Sequence, residues 1–225
     1  MRVIFAEARA VDKIKIRKGE VDKLPKKVGL LTTVQLIGQV KDVRRKIEDS
    51  GRVVILGRGE HSKYDGQILG CDAVPPKDVE AYLYVGEGLF HPLGIALKTD
   101  KPVFILDPTT GRLSRLNSEL VEKEKKRKKG ALLRFLDAKS VGILVSTKPG
   151  QLRLEQAFSL KKQLKSLGKD AYVLIFDTLD PSELGNFTFI ECFVNLACPR
   201  ISEDAEKLGR PVVNYEDILS YLKYK

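Results

Sequence analysis

A chain of 225 residues can hold one large domain or two of about 100 residues, each able to bury its own core. It has no run of about 18 apolar residues that could span a membrane, and its start, Met1-Arg2-Val3-Ile4-Phe5-Ala6-Glu7, offers too short an apolar core for a secretory signal. Three cysteines argue against a disulfide framework and for a reducing, cytoplasmic setting, while a net charge of +10 fits either an anionic partner or a well-solvated surface.

The first 27 residues carry nine basic and four acidic side chains. Leu30 and Leu31 then lie in a short apolar strand, after which Leu36, Val40, Val43 and Ile47 fall on one face of a helix ended by Ser50-Gly51. Val53-Val54-Ile55-Leu56-Gly57 reads as a strand buried on both sides. Cys71 comes next in a turn, Gln67-Ile68-Leu69-Gly70-Cys71-Asp72, ahead of Pro75-Pro76. Ala81-Tyr82-Leu83-Tyr84-Val85 leads into the glycine-rich stretch Gly86-Glu87-Gly88-Leu89-Phe90-His91-Pro92-Leu93-Gly94. A helix predicted from Asn117 to Lys139 contains the basic run Lys123 to Lys129, which a solvated face explains. In the second half Val141 to Thr147 is a strand, Ala157, Leu160, Leu164 and Leu167 form a helix face stopped by Gly168, and Ala171 to Phe176 is the next strand. Cys192 sits inside an apolar run as a small hydrophobe, and Cys198 sits at the end of that strand in Ala197-Cys198-Pro199-Arg200.

The halves echo each other. Val28-Gly29-Leu30-Leu31 matches Val141-Gly142-Ile143-Leu144, Ala81-Tyr82-Leu83-Tyr84-Val85 pairs with Glu191-Cys192-Phe193-Val194-Asn195, and Lys101-Pro102-Val103 pairs with Arg210-Pro211-Val212. Each copy reads strand, helix, strand, helix, strand, helix, strand. Continuous apolar strands alternating with amphipathic helices predict an α/β protein of two tandem, homologous four-stranded parallel-sheet (Rossmann-like) domains, at 28–112 and 113–225, the second including the linking helix.

In open parallel sheets ligands bind beyond the carboxyl ends of the strands. The loops there, around Thr33 and Gln35, Gly86 to Gly94, Ser146 to Gln151, and Ala197 to Arg200, are rich in small, polar or reactive residues. Cys71 and Cys198 stand 127 positions apart, in no zinc-ribbon or ferredoxin spacing.

Four of these stretches, Gln67 to Asp72, Tyr84 to Gly94, Ser146 to Gln151 and Ala197 to Ile201, occur in an order that resembles the archaeal diphthamide synthases, the 2-(3-amino-3-carboxypropyl)histidine synthases. The resemblance runs from about Val3 to the C-terminus. It implies three similar α/β domains, each supplying one cysteine to a 4Fe-4S cluster at their junction. That cluster cleaves S-adenosylmethionine to a 3-amino-3-carboxypropyl radical, which is added to a histidine of translation elongation factor two. By the resemblance Cys71 and Cys198 are the second and third cluster ligands, with no other catalytic residue assigned. Thr33, Gln35, Gly86, Gly88, His91 and Gln151 line the cofactor pocket, and Arg200 offers a fork of donors to a carboxylate. For His91 a structural place between Phe90 and Pro92 is an equal alternative.

The family has a further domain, with the first cysteine, ahead of the segment matching Val28. Residues 1–27 are therefore expected to be the last strand of that domain, around Val3-Ile4-Phe5-Ala6, and a basic link. A detached strand needs a partner, either a separate chain carrying the absent part or a second copy of this chain. The alternative function is a catalytically incomplete binding or scaffold subunit of the same pathway. Nucleic-acid binding ranks third, since no aromatic residues interleave the basic runs.

Overall fold

A computed structural model describes residues 4, 6–59, 61–70 and 74–223. The chain divides into two compact units, Met1–Lys123 and Glu124–Lys225. The first holds β1 (Lys27–Thr32), α1 (Val40–Glu48), β2 (Val53–Leu56), β3 (Ala81–Val85), α2 (Phe90–Ala96), β4 (Val103–Leu106) and β5 (Leu113–Arg115), in strand order β2-β1-β3-β4-β5. A helix, α3 (Ser118–Asp137), runs across the division. The second unit continues with β6 (Ser140–Ser146), α4 (Leu154–Ser166), β7 (Asp170–Phe176), α5 (Pro181–Leu184), β8 (Cys192–Asn195), β9 (Val212–Asn214) and α6 (Tyr215–Lys223), in order β7-β6-β8-β9. Four parallel strands thus share one connectivity in both units. The first sheet adds a fifth, antiparallel strand beyond the four expected. It is made by a tight turn in which the Asp107 carboxylate accepts from Thr109 N and Thr110 N, at 2.8 and 2.9 Å, and Gly111 takes a φ of +70°. Three residues are too few for a period-2 pattern to announce. No helix among the described residues is long and apolar enough to cross a membrane.

The repeat is real, but its third strand is in a different register from the sequence match. Gly29 lies opposite Tyr82, and Gly142 opposite Phe193. With Gly29 and Gly142 equivalent, Tyr82 corresponds to Phe193, one residue beyond the pairing made from sequence. A one-residue slip exchanges the faces of a strand, so only the observed register puts both aromatic rings on the same side. Each ring lies over its glycine: a Cβ added at Gly29 would stand 2.8 Å from Tyr82 Cδ1, and one at Gly142 2.6 Å from Phe193 Cδ1. The fourth strands keep the sequence pairing, Tyr82 opposite Val103 and Phe193 opposite Val212.

A second correction concerns the link from β2 to β3. The expected helix is absent among its described residues. Gly57, Gly59, Gly66 and Gly70, with Pro75-Pro76, punctuate it too densely, and part of its backbone pairs with strand β1 instead: Thr32 N donates to Gly66 O and Ile68 N to Thr32 O, both at 2.8 Å.

Of the predicted remnant strand, Val3 and Phe5 lie outside the described residues, and Ile4 and Ala6 are in no strand. Residues 10–24 form a strap. Ala10 N donates to Gln35 O at 2.7 Å, Ile14 N to Gln39 Oε1 at 2.7 Å, Lys15 N to Pro108 O at 2.9 Å and Arg17 N to Gly111 O at 3.1 Å. Ile14 and Leu24 are buried with Leu83, Val85 and Leu106, so the strap covers part of the sheet face that α1 leaves open. Glu7 anchors its start, accepting from Lys63 Nζ at 2.9 Å, Arg9 Nη2 at 2.8 Å and the Tyr64 hydroxyl at 3.0 Å. The Lys63 bond above all, then Arg9, holds the Glu7 carboxyl down at about 2. Because the folded value lies below the ordinary one, this anchoring is complete above about pH 4.5 and is lost as pH falls towards 2. Protonation of Glu7, followed through the chemical shifts of the adjoining Tyr64 ring, is therefore expected near pH 2, with no such step in Glu7→Gln; a midpoint near 4.5 contradicts the anchor.

Candidate functional site

In both sheets the chain reverses direction of growth between the first and third strands of the unit, the kind of switch point at whose carboxyl ends open parallel sheets bind ligands. Every described candidate residue falls on a loop leaving one of these four strands or in the first turn of the helix that follows it. Thr33 and Gln35 lie just past β1, and Gly86, Gly88 and His91 past β3; in the other unit Gln151 lies past β6, and Cys198 and Arg200 past β8.

In the first unit Thr32, fully buried, ties the two loops together by donating from Oγ1 to Val85 O at 2.6 Å. Thr33 is half-buried and its carbonyl accepts from Leu36 N at 3.1 Å, while Gln35 is exposed. Gly86 is buried against Tyr84: a Cβ there would stand 2.5 Å from the tyrosine oxygen, so the chain turns in a space that no side chain could share. Gly88 takes a φ of +76°, the left-handed conformation glycine tolerates, just before α2. Burial, then the nearby Glu87 charge, pushes the Tyr84 hydroxyl up to about 12. His91 is half-buried, its ring 5.6 Å from that of Tyr84 and 5.0 Å from Phe90. Phe90 also closes on the segment leading to Cys71, since a Cβ on Gly70 would stand 2.7 Å from its Cε1. Cys71 itself lies outside the described residues. Gln67, which opens that stretch and was given no role from sequence, is buried and accepts at Oε1 from Lys63 N and Tyr64 N, at 3.0 and 3.1 Å.

In the second unit the loop after β6 bends at Gly150, with φ +79°, and Gln151 N donates to Lys148 O at 3.0 Å. Arg200 is exposed in a 3-10 turn, Pro199–Asp204. Cys198 is half-buried and stands at the N-terminal edge of that turn; its carbonyl accepts from Ile201 N at 3.0 Å and from Asn195 Nδ2 at 2.9 Å. Asn195 Nδ2 also donates to Asn214 Oδ1 at 2.8 Å, Asn214 Nδ2 to Ser202 Oγ at 3.0 Å, and Ser202 Oγ to Pro199 O at 2.9 Å. Sequence reasoning missed this chain of bonds. Its one legible sign was an asparagine ending each of two apolar strands.

The two described cysteines differ in kind. Cys192 is fully buried in β8, and that burial pushes its thiol up to about 12, which makes it inert as a ligand. Cys198 is only half-buried, on a loop whose backbone is hydrogen-bonded in place, and a soft sulfur donor on such a loop suits an iron–sulfur cluster. Among the described residues no group of three or more His, Cys, Asp or Glu is placed to hold a metal ion.

Residues 3–225 match the family model described as "Putative diphthamide synthesis protein". The chain is 36% identical over 218 residues to 2-(3-amino-3-carboxypropyl)histidine synthase of Pyrococcus horikoshii, covering 95% of this chain and 62% of that protein. It is 27% identical over 187 residues to subunit 1 of the like-named synthase of Schizosaccharomyces pombe, covering 79% of this chain and 42% of that one. Two crystal structures of Dph2 from P. horikoshii, the second with a 4Fe-4S cluster, match with TM-scores of 0.80 and 0.78 at 34% identity, covering 92% of this chain and 60% of the solved one. The chain thus spans less than two thirds of the length of these relatives.

Proposed function

The chain belongs to the diphthamide synthesis family, and from that premise we propose that it is the part of a 3-amino-3-carboxypropyl transferase that helps to hold a 4Fe-4S cluster. The group transferred comes from S-adenosylmethionine and the acceptor is a histidine of translation elongation factor two. The observation that carries this reading is Cys198, a half-buried cysteine on a pinned loop at the carboxyl end of a central strand, in a chain 34% identical to a solved protein with such a cluster. When bound, the cluster supplies the electron that cleaves the cofactor.

The chain's own residues do the rest by position. Cys198 and Cys71 each present one thiolate. Gly86, where a Cβ would meet Tyr84, and Gly88, with its left-handed φ, bend the chain so that backbone N–H groups can approach the cofactor. Thr33, Gln35, His91 and Gln151 offer donors and acceptors to its polar groups, and Arg200 offers a bidentate donor fork to its carboxylate. A partner, either a separate chain or a second copy, contributes the remaining thiolate. The domain limits 28–112 and 113–225 assign one cysteine loop to each domain.

The test is anaerobic reconstitution with iron and sulfide, of the chain alone and with a candidate N-terminal-domain partner. The complete assembly is expected to turn brown and retain iron, and Cys198→Ser or Cys71→Ser to lose most of both. Iron content unchanged in either variant, or a colourless parent assembly, sinks the reading.

A further inference from the structure

The chain of side-chain amides behind Cys198 is more than a stable loop requires. Asn195 and Asn214 end the neighbouring strands β8 and β9 and lie directly opposite each other in register. Both are buried, at 2% and 7% exposure, where a leucine or valine would pack as well and bring no polar group to satisfy. Each hydrogen-bonding group of the Asn195 side chain is used: both N–H groups donate, to Cys198 O and Asn214 Oδ1, and Oδ1 accepts from Ala197 N at 3.0 Å. Asn214 passes the restraint to Ser202, at 4% exposure, and Ser202 returns it to Pro199 O. Arg127, from α3, holds the Ser202 carbonyl at 2.6 Å. Ala197 N, Cys198 O and Pro199 O, the three backbone groups bonded by the side chains of Asn195 and Ser202, all lie on Cys198 or its immediate neighbours.

We propose that Asn195, backed by Asn214 and Ser202, is a positioning residue that fixes the direction in which Cys198 presents its thiol. The proposal rests on the reading of Cys198 as a cluster ligand only for its purpose, not for its geometry. Outer hydrogen bonds that orient a metal ligand narrow the set of positions its donor atom samples, and their loss is felt as weaker retention of the metal.

The test uses the whole chain free of cluster. The rate at which iodoacetamide alkylates Cys198 is read by peptide mass spectrometry, with buried Cys192 as the unreactive internal reference. Asn195→Ala and Asn214→Ala are compared with Leu160→Ala, a core truncation of the same unit that lowers stability without touching the loop. The asparagine variants are expected to shift the Cys198 rate by about threefold or more, and Leu160→Ala to leave it at the parental value. Where Asn195→Ala fails to fold, Asn214→Ala carries the test, since it leaves the bond to Cys198 O in place. In the reconstituted assembly the same two variants are expected to retain about tenfold less iron at limiting iron. Parental alkylation rates in variants whose melting temperature falls as far as that of Leu160→Ala overturn the proposal, because the network is then structural alone. A shifted rate in an assembly whose parent binds no iron upholds the positioning role and removes the cluster reading instead.

Discussion

Gly142→Ala is expected to lower the stability of the second unit by about 2–3 kcal/mol, although it adds a single methyl group. The new Cβ would stand 2.6 Å from Phe193 Cδ1, 2.8 Å from its Cε1 and 3.1 Å from Ile190 Cδ1. Phe193 and Ile190 are themselves buried, at 0% and 1% exposure, so neither can swing into solvent to make room. Relief must come from moving β6 against β8, two central strands joined in register. The intrinsic preference of alanine over glycine in a strand, about 0.5–1 kcal/mol, has the opposite sign and is too small to compensate. Phe193→Leu removes the clashing ring at a cost of its own, so the double variant should lose clearly less than the sum, with a coupling of about 1 kcal/mol or more. Hydrogen exchange of β6 amides measures this unit by itself. A Gly142→Ala chain within about 0.5 kcal/mol of the parent shows that the ring is not seated on the glycine.

Lys169→Met is expected to cost about 2–3 kcal/mol, an unusual loss for a lysine. Lys169 is 8% exposed, and its ammonium donates to Leu136 O at 2.8 Å and Ala138 O at 2.5 Å, where α3 ends at Asp137. Carbonyls at a helix C-terminus have no partner in the helix, and a cation there also meets the negative end of the helix dipole. The ammonium lies 5.6 Å from the centroid of the buried Phe135 ring, and Lys169 N donates to Leu164 O at 3.0 Å behind Gly168, so one residue closes the ends of both α3 and α4. Methionine keeps the packing of the stem and removes the donors, leaving the two carbonyls without a charged partner. By contrast, Arg44 and Glu48 form an exposed pair at 2.8 Å on α1, worth about 0.3–0.5 kcal/mol, and Arg44→Ala should barely register. Urea denaturation at low salt and at about 0.5 M salt separates the two cases, because a partly exposed pair is screened and a buried cap is not. A Lys169→Met loss below about 0.5 kcal/mol contradicts the capping role.

These residues also mark how far the linear chain could be read. Periodicity placed the apolar face of α1, with Val40, Val43 and Ile47 buried as expected, and that of α4, with Ala157, Leu160 and Leu164, but Leu36, though buried, comes before α1 and Leu167, half-buried, caps the end of α4. Gly51 and Gly168 end their helices with φ of +80° and +76°, as a glycine after an apolar stripe suggests. The tandem echo, the continuous apolar strands of a parallel sheet, the burial of Cys192 and the placing of Cys198 in a loop past a strand end were likewise legible, because each depends on spacing or composition within a few residues.

Tertiary structure alone decided the rest. The register of β3 and β8 rests on which aromatic ring covers which glycine across a sheet, and local sequence is nearly indifferent to a shift of one residue. Among the described residues from β2 to β3 the expected helix gives way to turns, where Gly66 and Ile68 bond to Thr32 of β1. Residues 10–24, a basic link on paper, became a strap because Gln35, Gln39, Pro108 and Gly111 receive its hydrogen bonds. The amide chain behind Cys198 joins side chains 19 and 12 positions apart, Asn195 to Asn214 and Asn214 to Ser202. Hydrogen-bond partners at that distance leave no periodic trace, since their value exists only once folding has removed water from around them.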